Sequence, residues 1–190
     1  MAGSNITITV DELDSPAKIA RIEAALANPK DLLRELGGYL LGSTKDRFKA
    51  QAAPDGTPWQ ALTPRYLKRK HRNKDKILTL RGYLRSQMAY QLEGEDAVAV
   101  GSRLKYAAIH QFGGEIKRAE RQAEIFRRQN KAGKLSRLFT KKKNKTAVAT
   151  KVTIGAHTIA MPARPFLGVS ADDERAIAEK TQDFLRDLLG

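Results

Sequence analysis

Tyr106-Ala-Ala-Ile-His-Gln-Phe-Gly-Gly114 decides how this 190-residue chain is organised. Ala107, Ala108 and Gln111 fall at helical spacing, and the glycine pair after Phe112 supplies a C-cap and an exit turn. The stretch predicts a short helix over 106–112 that ends at a fixed corner. Just ahead of it, Met88–Leu92 and Ala97–Gly101 flank a Gly-Glu-Asp turn, with Val98 and Val100 on one face. That is the pattern of two paired strands.

Beyond the corner the chain changes character. Residues 115–151 carry thirteen Lys/Arg against Glu115, Glu120 and Glu124, a net of +10. A second basic run, 65–76, holds seven against Asp75, which leaves the rest of the chain at −2 of a total +14. Two basic segments are thus grafted on a near-neutral domain. Such clustering suits a polyanionic partner, and a solvated loop gives the same count. Residues 115–151 read as a basic variable arm, mobile or a long hairpin, in which Ala119–Asn130 admits a helix with few apolar positions. Ala147–Met161 then alternates through Val148, Val152, Ile154, Ile159 and Met161, as a strand or hairpin broken at Gly155.

Outward toward the N-terminus, Ile6–Val10 alternates as a half-buried strand. Asp14 or Ser15 before Pro16 caps a helix to about Leu26, and Asn28-Pro29 interrupts it. A second helix runs to about Ala50 with Leu32, Leu33, Leu36, Leu40 and Phe48 as its apolar stripe. Gly37-Gly38 within that stripe implies the close approach of another backbone. Pro54-Asp-Gly-Thr-Pro-Trp59 is a turn cluster, followed by a basic helix over 64–72 and another over 79–87 with Leu80, Tyr83 and Leu84 inward. Toward the C-terminus, Met161-Pro-Ala-Arg-Pro-Phe-Leu-Gly168 precedes a closing amphipathic helix, 171–189, with an acidic first turn and Ile177, Phe184, Leu185 and Leu188 inside. The order predicts one α+β domain over 1–190: a small, mainly antiparallel sheet with helices on one face, and the arm inserted within it.

Chemistry is sparse. The absence of Cys excludes a disulfide scaffold, a thiolate metal site and a cysteine nucleophile. His71, His110 and His157 lack metal-ligand spacing, and His110 reads as a half-buried packing residue. The acidic groups 93–96 and 172–174 read as a polar turn and a helix start, and the glycine pairs match no nucleotide-binding loop. No catalytic residue, cofactor or metal is assigned. No stretch approaches the ~20 apolar residues of a membrane span. Residues 1–10 lack the basic and apolar regions of a signal peptide. Phe126 and Phe139 are the only aromatics in the arm, too few for a base-stacking reader, so non-specific phosphate contact is the nucleic-acid reading left open.

Three blocks, Pro54–Trp59, Tyr106–Gly114 and Met161–Gly168, together with Leu80–Ser86 resemble the phage virion morphogenesis family, the tail-completion proteins of Mu-like and related contractile-tailed phages. Pro54–Trp59 follows a helix ending Thr44-Lys-Asp-Arg-Phe48; Leu80-Arg-Gly-Tyr-Leu-Arg-Ser86 and Val98–Gly114 are similar to the family's two central motifs; Met161–Gly168 is similar to its segment before the last helix. Arg81 stands where the family usually has Thr or Ser, and the arm falls in its variable part. The resemblance implies a late structural protein of the virion neck, assembled in the host cytoplasm. It would complete the tail and join it to the DNA-filled head as a ring around the DNA channel, a hexamer by analogy with related tail-end proteins. Implied partners are other copies, the tail tube or tail terminator, and the head connector. On that reading Trp59, Leu84, Tyr106, His110, Phe112, Gly113, Gly114, Arg164, Pro165 and Phe166 are motif anchors or interface residues. Trp59, Phe112 and Phe166 are read first as core, with an interface role open. Arg127, Arg128, Lys141, Lys142, Lys143 and Lys145 are candidates for DNA or partner contact. The alternative is a basic, non-specific DNA-binding protein of packaging or replication.

Overall fold

A computed structural model describes residues 16–130 and 133–189. The strand expected at Ile6–Val10 and the cap at Asp14 or Ser15 lie outside the described residues. In order the elements are α1 (Pro16–Ala27), α2 (Lys30–Ala50), α3 (Pro64–Arg69), α4 (Tyr83–Ser86), β1 (Met88–Glu93), β2 (Ala97–Ser102), α5 (Ala107–Phe112), β3 (Gly114–Arg118), β4 (Arg121–Gln129), β5 (Leu135–Phe139), β6 (Ala147–Ile154), β7 (His157–Met161) and α6 (Ala171–Leu189). This is an α+β protein in which every strand pairing is antiparallel. The strands form three small sheets, β1-β2, β3-β7 and β5-β4-β6, instead of the single sheet expected. Contacts divide the chain into two compact units, Gly114–Met161 and the remainder.

In the larger unit, α2 packs on the β1-β2 hairpin and α6 packs on α1 and α2. Gly37 explains the first contact. A Cβ there would meet the Tyr90 ring at 2.6 Å and Val98 at 2.8 Å, so only glycine lets the hairpin lie this close. The approaching groups are side chains, not the backbone expected from the sequence, and Gly38 faces open space. The core gathers Phe48, Trp59, Leu84, Met88, Ala107 and Phe166. Phe48 meets Trp59 edge-on at 5.5 Å and Phe166 at 5.3 Å, the spacing aromatic pairs prefer. Residues 77–82 resist the longer helix expected over 79–87. Leu78 and Gly82 both take positive φ (54° and 81°), so α4 keeps only four residues and Tyr83 turns outward.

The smaller unit corrects the sequence reading most. Arg121–Gln129 is a strand, not a helix, because Ala123, Ile125 and Arg127 alternate with Gln122, Glu124 and Arg128 and the period is two. Gly114↔Met161 through Arg118↔His157, and Arg121↔Ile154 through Arg128↔Ala147, keep one constant register. They form one long two-stranded ribbon interrupted only at 119–120 and 155–156. At ~3.3 Å per residue its thirteen paired positions amount to about 43 Å of strand. β6 and β7 are successive pieces of one edge, not a hairpin. β5 folds back on β4 at the tip, across a bulge between Arg127 and Gln129.

Candidate assembly surfaces

Pro54–Trp59, Tyr106–Gly113 and Pro162–Gly168, the bulk of the three sequence blocks, condense into one junction inside the larger unit. Its spine is the extended segment Pro162–Ser170, which runs between α2, α5 and the 51–61 turn. Such a segment has no ladder to satisfy its backbone, so side chains must. Gln111 does this from α5: its Oε1 accepts from Phe166 N (2.9 Å) and Leu167 N (3.0 Å), and its Nε2 donates to Leu167 O (3.0 Å). Trp59 Nε1 donates to Pro165 O at 2.7 Å. Arg164 returns the contact, donating from Nε to Gln60 O at 2.9 Å, while its own amide donates to His110 O at 2.8 Å.

Arg47 secures the far end. Its guanidinium donates to Phe166 O (3.0 Å), Gly168 O (2.8 Å) and Ser43 Oγ (3.2 Å), and pairs with the Asp173 carboxylate. Asp173 is 1% exposed. Ser170 caps α6 beside it: the Ser170 amide and hydroxyl donate to Asp173 Oδ2 at 2.8 and 2.7 Å, and the Asp173 amide returns to Ser170 Oγ. Burial pushes the Asp173 carboxyl up, but hydrogen bonds from Ser43 and Ser170 and the Arg47 charge together hold it below the usual range. Gly168 closes the segment at φ 144°, where an added Cβ would sit 2.8 Å from the Pro54 ring. No other residue fits without strain.

Each sequence-singled residue now has a place. Trp59, Leu84, Arg164 and Phe166 are buried, Pro165 is half-buried, and Gly113 ends α5 at φ 70° with its amide on Ile109 O. His110 is half-buried, its ring edge-to-face with Tyr106 at 6.0 Å between ring centres. Burial, then the Arg164 charge, lower its pKa, and its Nδ1 has no protein partner. Tyr106 is 42% exposed and Phe112 78% exposed. The core reading of Phe112 is therefore corrected. Ala107 and Gln111 share the inward face of α5, which turns Ala108 and Phe112 outward. Lys70 departs from the polyanion reading of residues 65–76, being 3% exposed with Nζ donating to Lys76 O.

Sequence reasoning missed Arg47, Gln111, Ser170 and Asp173, which hold the junction. Ser170-Ala-Asp-Asp173 carried a capping-box signal; an arginine and a glutamine on helices carried none. Each polar group at the junction is spent on backbone or on a fixed ion pair, apart from His110 Nδ1. Among the described residues no nucleophile, base and orienting partner converge there.

The smaller unit is open where the junction is closed. Gly114 starts β3 opposite Met161. Arg127 lies 5.7 Å over the Phe139 ring, and its Nε is buried without a partner. Arg128, Lys141, Lys142, Lys143 and Lys145 are exposed, as are Leu138 (77%) and Phe139 (71%). On one face of β5-β4-β6, Ala123, Ile125, Val148, Val152 and Ile154 align, each of them half-buried. Among the described residues no helix is long and apolar enough to cross a membrane.

The chain is 32% identical over 124 residues to the "Putative capsid assembly protein G" of Escherichia phage Mu, covering 60% of this chain and 79% of that one. No solved structure matches. The phage virion morphogenesis family matches residues 16–186, which takes in all three blocks, the junction they build and the ribbon between them. The chain belongs to that family, and its role lies in the assembly of the phage virion.

Proposed function

We propose that the protein completes the phage tail and joins it to the filled head, as a ring of identical subunits at the head-proximal tail end. The observation that carries this reading is the division between a locked junction without reactive groups and side chains left open for association. A ring subunit needs a body rigid enough to fix the angle to its neighbour and surfaces that neighbour can cover. The Arg47–Asp173–Ser170 lock and the Gln111 clamp provide the rigidity. Phe112, Leu138 and Phe139 are large apolar side chains at 71–78% exposure, the kind an interface buries. The role is structural, with the head connector and the tail tube or terminator as partners and the neck as its place in the virion.

The Mu relative is named for the capsid, and a deletion experiment distinguishes a capsid role from a neck role. Electron microscopy of lysates lacking this protein should show DNA-filled heads beside unattached tails or tails of abnormal length. Absence of filled heads would move the role to capsid building, and normal infectious virions would remove the assembly role proposed.

A further inference from the structure

We infer that the tip of the ribbon binds the phosphate backbone of duplex DNA, without reading sequence. This rests on the neck reading only for where DNA is met; binding is a property of the ribbon itself.

After Glu124 no Asp or Glu occurs until Asp172, and ten Lys/Arg lie between Arg127 and Lys151. Among the described residues every ion pair lies outside Gly114–Met161, and the tip of the ribbon, 125–150, contains no carboxylate in its sequence. A field of one sign, on a fixed scaffold, is what a polyanion selects.

The cations are also arranged. Lys141–Lys145 form a turn, not a loose tail: Asn144 N donates to Lys141 O at 2.9 Å, and Asn144 Oδ1 accepts from Thr146 N and Oγ1. Thr140 N donates to Phe126 O at 2.7 Å, tying the start of the turn to β4. Four exposed lysines are thereby held at one end of the ribbon. Beside them Arg128, Lys134 and Arg137 line an open groove of about 440 Å³, with Gln129, Ser136 and Thr146 as hydrogen-bonding groups and no carboxylate among its described residues.

The occupant follows from what the groove lacks. Single strands are gripped by successive aromatic faces. Here Phe139 has Arg127 near its ring, and Phe126 is half-buried. That leaves phosphates, which duplex DNA presents every ~1.7 Å along its axis. An acidic protein face is the competing occupant and becomes an outcome of the test.

The experiment uses the full chain and a fluorescent 30-base-pair duplex of arbitrary sequence, titrated at several salt concentrations. Replacing Lys141, Lys142, Lys143 and Lys145 with Gln should weaken binding at least about tenfold and reduce the slope of log affinity against log salt by about three. Arginine at the same four positions should restore binding. Gln at Arg65, Lys68, Arg69 and Arg72 removes the same charge from the other basic segment, and should change affinity less than about threefold. Equal losses from both quadruple variants would reduce the effect to net charge and overturn the inference. Tighter binding to poly-glutamate than to the duplex would overturn it in favour of a protein face. Particle morphology in the lysate reports the neck role separately, so either idea can fail alone.

Discussion

The segment Pro162–Ser170 and the ribbon Gly114–Met161 are consecutive in the chain and opposite in physical character. The segment has little regular structure of its own, yet Gln111, Trp59, Arg47 and Ser170 satisfy its backbone and Phe166 is fully buried. The ribbon keeps one register along its length, yet its tip lysines and Phe139 stay open. Order and closure are therefore separate properties here. A closed junction contributes stability, whereas an ordered but open surface has unspent capacity for a partner.

If that contrast is right, substitutions at the junction should alter folding, and those on the ribbon should leave it alone. The largest effects are expected where a buried charge loses its partner. Arg47→Met or Asp173→Ala should each cost about 3–5 kcal/mol in urea unfolding, and the double variant less than the sum. Phe166→Ala belongs in the same range, about 3–5 kcal/mol, because it empties the centre of the aromatic cluster. Gly168→Ala should follow at about 1–3 kcal/mol, from its left-handed φ and the Pro54 contact. Small losses at all of these would show that the segment is draped on the body and not locked to it.

Acid should act on the junction next. The Asp173 carboxyl is held below its usual range, so its contribution is present above the unfolded value, about 3.9, and is lost as pH falls through the lower folded value. Asp173→Asn should flatten that acid limb. His110 has a lowered pKa through burial and Arg164, so the unfolded chain binds its proton first, near 6.5. Stability should therefore fall as pH drops from about 6.5 toward the folded value, and His110→Gln should shrink this step. A pH profile unchanged by both substitutions would contradict the assigned surroundings.

On the open surfaces the expected stability change is the smallest. Phe112→Ser, and the Lys→Gln set at the ribbon tip, should stay within about 0.5 kcal/mol of wild type. Phe112→Ser should nevertheless shift sedimentation toward smaller species if that side chain joins subunits. Unfolding of either variant at markedly lower urea would erase the contrast.

Legibility in the sequence followed the same line. Helices α2 and α6 and the β1-β2 hairpin announced themselves, because apolar spacing and turn residues are local signals. The ribbon did not: Arg121–Gln129 alternates with only Ala123, Ile125 and Phe126 as apolar residues, so charge hid its period of two. The constant register of β3-β4 with β6-β7 is a long-range property with no local marker. The three blocks were legible as fixed corners. That Arg47 and Gln111 would join them was not, since a side chain's reach to a backbone more than fifty residues away leaves no trace in spacing.

A structural subunit at the junction of head and tail would sit in the neck of the finished virion. Antibody labelling of intact virions against this chain, viewed by electron microscopy, tests it most directly. Label confined to the neck, at the head-proximal end of the tail, is the expected result. Label spread over the capsid shell, or virions that carry none, would contradict it.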